Sequence, residues 1–225
     1  MVITIDGPAG VGKSTAAKTL ARRLGLMYLD TGATYRTLAY AARRRQLHPV
    51  ADADRIAELA RQLPIELRVR DDGSLQVRLS GEDISAAIRT EEVTEAAALV
   101  SQHPPVRRAL VKRQRELADR HGVVVEGRDT GSVVFPKASH KFFLDADPEV
   151  RAHRRQRELA RLYGARSPIA QIREQLHFRD GLDRTRRVGP LVKPRGAIAI
   201  NTTHRTINQV VQMMLRHIRR NRPER

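Results

Sequence analysis

The segment GPAGVGKS, residues 7–14, has the spacing of a phosphate-binding loop, G-x-x-x-x-G-K-[ST]. Its glycines allow successive backbone N–H groups to face one anion, and a helix beginning near Lys13 adds its positive dipole end. Lys13 can reach the β- and γ-phosphates of ATP, and the Ser14 hydroxyl can ligate Mg²⁺. Because the segment follows a predicted strand and opens a predicted helix, we favour nucleotide binding over a purely structural glycine-rich turn. The residues expected to bind ATP are Gly7, Pro8, Ala9, Gly10, Val11, Gly12, Lys13, Ser14 and Thr15.

A second polar cluster follows a short apolar run in the middle of the chain. The run Val123–Val125 predicts a buried strand, and Glu126, Arg128 and Asp129 come directly after it. Charged side chains at the end of a strand can bind a ligand, or Arg128 and Asp129 can form a structural ion pair. Which of these applies depends on the group that accepts the phosphoryl group.

Different acceptors require different protein groups. A hydrolase must position water, and a kinase that acts on an alcohol often uses a carboxylate base. A phosphate monoester is already anionic at pH 7, so its kinase needs cations that bring two polyanions together and groups that exclude water. Of the 42 basic residues, 36 are arginine, whose planar fork suits phosphate. The arginines favour this third case, although we expect most of them to lie on solvated faces.

The elements that carry both clusters alternate between strand and helix. Residues 2–5 and 26–30 predict short strands, each followed by a helical pattern, which is typical of a parallel sheet in an α/β protein. After Pro64, alternating apolar and polar residues around 71–74 predict an inserted β-hairpin. Further strands are predicted over 140–146 and 197–201, and further helices over 91–120, 148–164, 169–182 and 207–219.

The composition and charge of the chain favour an anion-binding domain over a membrane, secreted or metal-binding protein. The chain has 225 residues, of which 40% are hydrophobic, and a net charge of +17, which is compatible with one domain that binds anions. No apolar stretch approaches the roughly 20 residues of a membrane span, and no segment resembles a signal peptide. The chain has no cysteine, and its eight histidines lack metal-ligand spacing. We therefore expect a cytoplasmic protein without a membrane partner.

The chain resembles the bacterial cytidylate kinases, a family of P-loop nucleoside-monophosphate kinases. The matching motifs run in order along nearly the whole chain and include LDTGATYR, HPPVRRALVKRQR, EGRDTGSVVFP, FRDGLDRTR and PLVKP. The resemblance implies transfer of a phosphoryl group from ATP to CMP or dCMP, with Mg²⁺. It also implies one domain over 1–225, with a parallel sheet core flanked by helices (1–30, 89–150 and 183–225), a monophosphate-binding region that contains the hairpin (31–88) and an arginine-rich helical lid (151–182).

The resemblance also assigns the acceptor site. Arg128 is expected to hold the CMP phosphate. Asp129 can accept from the cytosine N4 amino group, while Arg107 can donate to N3 and O2. Ala98 stands where related sequences have a serine that reaches this amino group, and Ser101, on roughly the same helical face, can take its place. The full set of expected CMP contacts is Thr31, Arg36, Ser101, Arg107, Arg128, Asp129, Arg179, Asp183 and Arg186.

The predicted lid begins with a helix that is rich in arginine. Arg154, Arg157 and Arg161 are spaced i, i+3 and i+7 and so share one face. As part of a lid, this face would neutralise charge on the triphosphate, whereas the alternative is a solvated basic helix. A surface position is likewise the alternative for Arg36. The residues predicted to be catalytic are Lys13, Arg128, Arg154 and Arg157.

Two other functions stay open at this point. One is a kinase for another nucleoside monophosphate, UMP or AMP. The other is a nucleic-acid-dependent ATPase, which the net charge suggests. The sequence has no RNA-recognition or helix-turn-helix signature, and only four tyrosines and four phenylalanines for base stacking. We therefore expect small nucleotides as partners, no specific nucleic acid, and a monomer.

Overall fold

The computed structural model describes residues 1–70, 74–118, 122–164 and 167–221. Five strands form a parallel sheet: β1 (Val2–Asp6), β2 (Met27–Asp30), β6 (Val123–Gly127), β7 (His140–Asp145) and β8 (Ile198–Asn201). Their order across the sheet is β2-β6-β1-β7-β8. The strands β1 and β6 are almost entirely buried, which explains their runs of valine and isoleucine. The α/β fold with a parallel core is confirmed.

Helices flank this sheet and connect its strands. They are α1 (Lys13–Leu24), α2 (Thr31–Arg44), α3 (Ala53–Arg61), α4 (Glu91–Val100), α5 (Pro104–Ala118), α6 (Pro148–Tyr163), α7 (Ile169–Thr185) and α8 (Ile207–Arg220). Local sequence fixes several helix ends. The Asp30 side chain accepts from the backbone N–H of Ala33 and so caps α2, while Pro148 opens α6 and Gly164 ends it. Within the described ranges, no helix is both long and apolar enough to cross a bilayer.

The helix predicted over 91–120 is wrong in one respect, because α4 and α5 are separate helices. Pro104 and Pro105 begin α5, where a missing N–H costs nothing, whereas neither could continue α4. Residues 119–121, where the prediction ended, lie outside the described residues. The helix α7 runs to Thr185 rather than residue 182, so Asp183 is helical.

The inserted hairpin is confirmed as an antiparallel pair, β3 (Ile65–Val69) and β4 (Leu75–Leu79), to which the two-residue strand β5 (Glu82–Asp83) is added. The turn at 71–73 lies outside the described residues. The helix α3 precedes the hairpin, and its buried Ile56, Ala57 and Ala60 pack toward the core. The division into core, monophosphate-binding region and lid stays a prediction.

Candidate active site

A cavity of about 800 Å³ lies where β1, β2 and β6 end. The carboxyl ends of parallel strands all reach this side of the sheet, so the residues that follow each strand come together here. Of the residues predicted to bind ATP, those that line the cavity are Ala9, Gly10, Lys13, Ser14 and Thr15. The cavity therefore contains both polar clusters that the sequence indicated.

The phosphate-binding loop is folded as an anion site. A Cβ on Gly7, whose φ is 145°, would clash with the carbonyl oxygen of Leu144, so only glycine fits this crossing. The helix α1 begins after Gly12 with no side-chain cap and no acidic residue in its first turn. Its first N–H groups are thus left for an anionic ligand. Pro8 and Val11 contribute backbone carbonyls, which accept from Lys13 and Thr202.

Lys13 is buried at the floor of the cavity. Its ammonium donates to the carbonyl oxygen of Pro8 at 2.5 Å. Burial and the charge of Arg128 together lower the pKa of Lys13 to about 7, although the charge of Glu126 opposes the shift. A phosphate group beside the ammonium would favour its charged form.

Glu126 is a site residue to which the sequence alone gave no role. Its carboxylate is buried, accepts from the Tyr28 hydroxyl and interacts with the Ser14 hydroxyl. Burial raises the pKa of Glu126, as does the charge of Asp30, while Lys13 lowers it. Glu126 thus brings an acidic oxygen to the base of the phosphate-binding loop, between β1 and β2.

Asp6 has a structural role at the end of β1. Its two carboxylate oxygens accept from the backbone N–H groups of Thr130 and Gly131 and from the Thr130 hydroxyl, each at 2.7 Å. Burial raises the pKa of Asp6 even though these hydrogen bonds oppose the shift. The contacts hold a π-helical turn, Thr130–Val134, directly after Asp129. Asp6 thereby fixes where the second polar cluster leaves the sheet.

Arg128 lies in the cavity and is held by α7. Its Nε donates to Asp183 at 2.8 Å, with the two side chains 18% and 9% exposed. Burial lowers the pKa of Arg128, but the charges of Asp183, Asp180 and Glu126 together outweigh burial and the pKa is raised. Arg186 also contacts Asp183, at 3.4 Å, and donates to the backbone carbonyl of Gly189. Asp183 thus holds Arg128 at the wall of the cavity.

A buried pair of opposite charges lies at another wall of the cavity. Arg107 Nη2 donates to Asp129, and Arg186 lies 3.8 Å from the other carboxylate oxygen. Burial raises the pKa of Asp129, which both arginines oppose. Arg107 is 1% exposed, yet its Nε and Nη1 have no hydrogen-bond partner in the part of the chain that is described. Buried guanidinium donors are rarely left unpaired, so they are available to a ligand.

The remaining predicted CMP contacts also surround this cavity. The Thr31 hydroxyl donates to the carbonyl oxygen of Glu126 at 2.7 Å. Arg36 pairs with Asp30 at 2.8 Å, so it is not merely a solvated arginine on the surface of α2. Burial, reinforced by Arg128, lowers the pKa of Arg179 to about 10. The Ser101 hydroxyl donates to the carbonyl oxygen of Ala98, which leaves its lone pairs able to accept.

The helix α6 brings Arg161 of the predicted face to the cavity, but not Arg154 or Arg157. Arg154 donates to the hydroxyl and carbonyl oxygens of Thr202, at 2.9 and 2.7 Å, and Arg157 is exposed. Neither lines the cavity, whereas Arg155 and Arg161 do. The i, i+3, i+7 spacing groups residues on a face but does not say which face looks inward.

Comparison with known proteins agrees with this geometry. Residues 3–220 match the family model described as cytidylate kinase. The chain belongs to the cytidylate kinase family. It is 45% identical to the cytidylate kinase of Caldanaerobacter subterraneus subsp. tengcongensis, over 97% of this chain and 95% of the relative. It is 44% identical to that of Geobacillus sp. (strain WCH70), over 95% and 94%, and 43% identical to that of Klebsiella pneumoniae (strain 342), over 97% and 95%.

In this member of the cytidylate kinase family, the sequence alone gave no role to two residues of the site, Glu126 and Tyr28. Glu126 follows three valines, and its position at a strand end beside the phosphate-binding loop was a usable signal. Tyr28 carried no such signal, because its contact with Glu126 joins residues 98 positions apart. The site therefore contains an acidic group, Glu126, beside the phosphate-binding loop (the donor side), as well as Asp129 and Asp183 beside Arg107 and Arg128 (the acceptor side).

Proposed function

We propose that the protein transfers the γ-phosphoryl group of ATP to the 5′-phosphate of CMP and dCMP, giving CDP or dCDP and ADP. Family membership supports this reaction. The structural observation that carries it is Arg107, which lines the same cavity as the phosphate-binding loop, pairs with Asp129, and has two buried N–H groups without a partner among the described residues. This juxtaposition offers one site for a triphosphate and another for a base with neighbouring donor and acceptor groups.

In this proposal the two halves of the cavity hold two polyanions. The loop from Gly7 to Ser14, including the Lys13 ammonium, holds the ATP phosphates. Arg36, Arg128 and Arg186 hold the CMP phosphate, and Asp183, with Arg179 nearby, contacts the sugar. The attacking phosphate oxygen already carries charge, so no general base is required. The protein contributes orientation, cationic groups and exclusion of water, which can together supply much of the rate enhancement.

Base selection follows from the Arg107–Asp129 pair. An ionised Asp129 accepts from the amino group of cytosine, while Arg107 donates to the acceptors of the same edge. Uracil has a carbonyl where cytosine has the amino group, so it would set an acceptor against a buried acceptor. Ser101 is proposed as a further acceptor for the amino group.

The ATP-bound magnesium ion is part of the proposal. Ser14 and Glu126 supply a hydroxyl and a carboxylate oxygen next to each other, which are the donor types that Mg²⁺ takes when it also binds phosphates and water. Once bound, the ion would neutralise charge on the β- and γ-phosphates. Of the predicted catalytic arginines, Arg128 is in the cavity, and a role for Arg154 and Arg157 requires movement of α6. The monomeric state and cytoplasmic location also stay proposals.

A nucleotide panel tests the function. Purified protein with ATP and Mg²⁺ is assayed against CMP, dCMP, UMP and AMP by coupled detection of ADP and by direct chromatography of the diphosphate. CMP and dCMP should be the best acceptors by kcat/KM. Faster turnover of UMP or AMP would contradict the assignment of Asp129, and ATP hydrolysis stimulated only by RNA or DNA would replace the kinase by the alternative ATPase.

A further inference from the structure

A buried ion pair joins α6 to α7 just outside the cavity. Arg151 Nη1 donates to Asp180 Oδ2 at 2.6 Å, and the two side chains are only 7% and 4% exposed. Neither residue lines the cavity, so neither is placed to touch a nucleotide. The pair is therefore costly to bury and has no direct part in the proposed binding of ATP or CMP.

Arg151 is attached to the donor side of the site. A Cβ on Gly10 of the phosphate-binding loop would lie 2.9 Å from the carbonyl oxygen of Arg151 and 3.0 Å from its Cβ. Ala9, the preceding loop residue, packs against an apolar cluster that α6 and α7 form from Ala152, Ile172 and Leu176. The first turn of α6 thus rests directly on the loop.

Asp180 is attached to the acceptor side of the site. It lies on α7 next to Arg179 and three residues before Asp183, and both neighbours line the cavity. Asp183 in turn holds Arg128. A displacement of Asp180 along or away from α6 would consequently move the residues proposed to hold CMP relative to the loop proposed to hold ATP.

The pair is also incompletely bonded. Arg151 Nε and Asp180 Oδ1 are both buried without a hydrogen-bond partner in the described part of the chain. Unpaired buried polar atoms are disfavoured, and here one donor and one acceptor belong to the same pair. A guanidinium and a carboxylate can form two parallel hydrogen bonds, so a small shift of α7 against α6 would satisfy both atoms.

We propose that Arg151 and Asp180 are positioning residues, whose ion pair sets the acceptor-side helix α7 relative to the phosphate-binding loop during phosphoryl transfer. The inference rests on the proposed CMP kinase activity. Because each nucleotide keeps its own direct contacts, loss of the pair should reduce kcat and leave both KM values nearly unchanged. Misplacement of reacting groups by about 1 Å can cost on the order of 100-fold in rate.

The test compares two ion pairs between the same helices. Asp180→Asn keeps the size of the side chain and removes its charge. Glu149→Gln is the matched control, because Glu149 pairs with Arg173 of α7 at 3.1 Å on the exposed side. We expect Asp180→Asn to lower kcat by about 10- to 100-fold with KM for ATP and CMP within about threefold, and Glu149→Gln to stay within about twofold of wild type. Calorimetric titration with each nucleotide alone should show near wild-type binding for both variants.

A second variant separates positioning from folding. Arg151→Met combined with Asp180→Leu replaces the pair by apolar groups, which is often neutral or stabilising. Its melting temperature should be close to that of wild type while its kcat stays low. A kcat of Asp180→Asn within twofold of wild type, or recovery of kcat in the double variant, would overturn the inference. If the wild-type protein forms no CDP, the proposed function is refuted, and the inference is refuted with it. That result comes from the wild type alone, so it is distinct from a failure of the variants.

Discussion

Replacement of Arg107 by glutamine should reduce kcat/KM for CMP by about two orders of magnitude and leave ATP affinity nearly unchanged. Arg107 is 1% exposed and donates to Asp129 through Nη2 only. Its Nε and Nη1 are buried and have no hydrogen-bond partner within the described residues, and Arg107 is among the residues that line the cavity. If these two groups bind the cytosine edge, the shorter and neutral glutamine side chain loses both of these charge-assisted hydrogen bonds.

The magnitude follows from the two missing hydrogen bonds. A hydrogen bond that involves a charged group contributes about 1.5–3 kcal/mol. Two bonds at the lower value amount to about 3 kcal/mol, which corresponds to roughly 150-fold in kcat/KM at about 1.36 kcal/mol per factor of ten. Lys13 and the phosphate-binding loop are unaffected, so the dissociation constant for ATP should stay within about twofold.

The same substitution should also destabilise the fold, and this effect must be separated from catalysis. Removing one partner of a buried pair typically costs about 3–5 kcal/mol. The cost here should be near 3 kcal/mol, because Arg186 still lies 3.8 Å from the Asp129 carboxylate. For a chain of this length that is a fall in melting temperature of roughly 6–12 °C. Assays at 25 °C should therefore still measure folded protein.

The control is Arg108→Gln, which makes the same chemical change at the neighbouring, exposed position of α5. Steady-state kinetics with CMP varied at saturating ATP, and calorimetry with an ATP analogue, give the two quantities. Arg108→Gln should match wild type within about twofold. If Arg107→Gln loses less than fivefold in kcat/KM for CMP, or if it weakens ATP equally, Arg107 does not bind the base.

Four further predictions follow from the same geometry. Lys13→Met should lower kcat by at least about 100-fold, measured by ADP formation, because no other group replaces its charge on the transferred phosphoryl. Arg128→Ala should raise KM for CMP while the calorimetric affinity for ATP stays within about twofold; equal losses would contradict its role. Asp129→Asn should reduce the CMP-to-UMP ratio of kcat/KM by about 100-fold in paired assays, since the amide adds a donor. Burial and then the neighbouring His217 lower the pKa of His140, so the unfolded chain binds the proton first and stability falls as pH drops below about 6.5. In urea unfolding measured at several pH values, the free energy of unfolding should depend less steeply on pH in His140→Gln than in wild type. The control His177→Gln, at an exposed position, should keep the pH dependence of wild type.

Local sequence was enough to predict the glycine-rich loop from Gly7 to Gly12 and the start of α1 directly after it. The proposed role of this segment in binding ATP depends on backbone geometry and a helix start, both of which are encoded within one short segment. The strands β1 and β6 were predictable for a similar reason, since buried parallel strands are runs of β-branched residues. The break between α4 and α5 is equally local, because Pro104 and Pro105 mark it, but apolar periodicity alone does not show it.

Contacts between distant segments could not be predicted from the sequence in the same way. Glu126 meets Ser14 and Tyr28 only because β6 pairs between β1 and β2. The face of α6 that looks into the cavity is set by how Arg151 packs on the phosphate-binding loop, a contact across about 140 positions. Spacing along the helix therefore grouped Arg154, Arg157 and Arg161, of which Arg161 lines the cavity, and a catalytic role for the other two stays a prediction.

The acidic residues of the site explain how so many cations can be held before any nucleotide binds. Arg36 is paired with Asp30, Arg128 with Asp183 and Arg107 with Asp129. Buried guanidinium groups without counter-charges would repel one another, an effect still visible at Arg179, whose pKa burial and Arg128 lower to about 10. Nucleotide phosphates bring further negative charge, which stabilises the cations but repels the acids. The acids must therefore bind the side of each arginine that a phosphate does not use, and Arg128, which donates to Asp183 through Nε, leaves Nη2 for a phosphate.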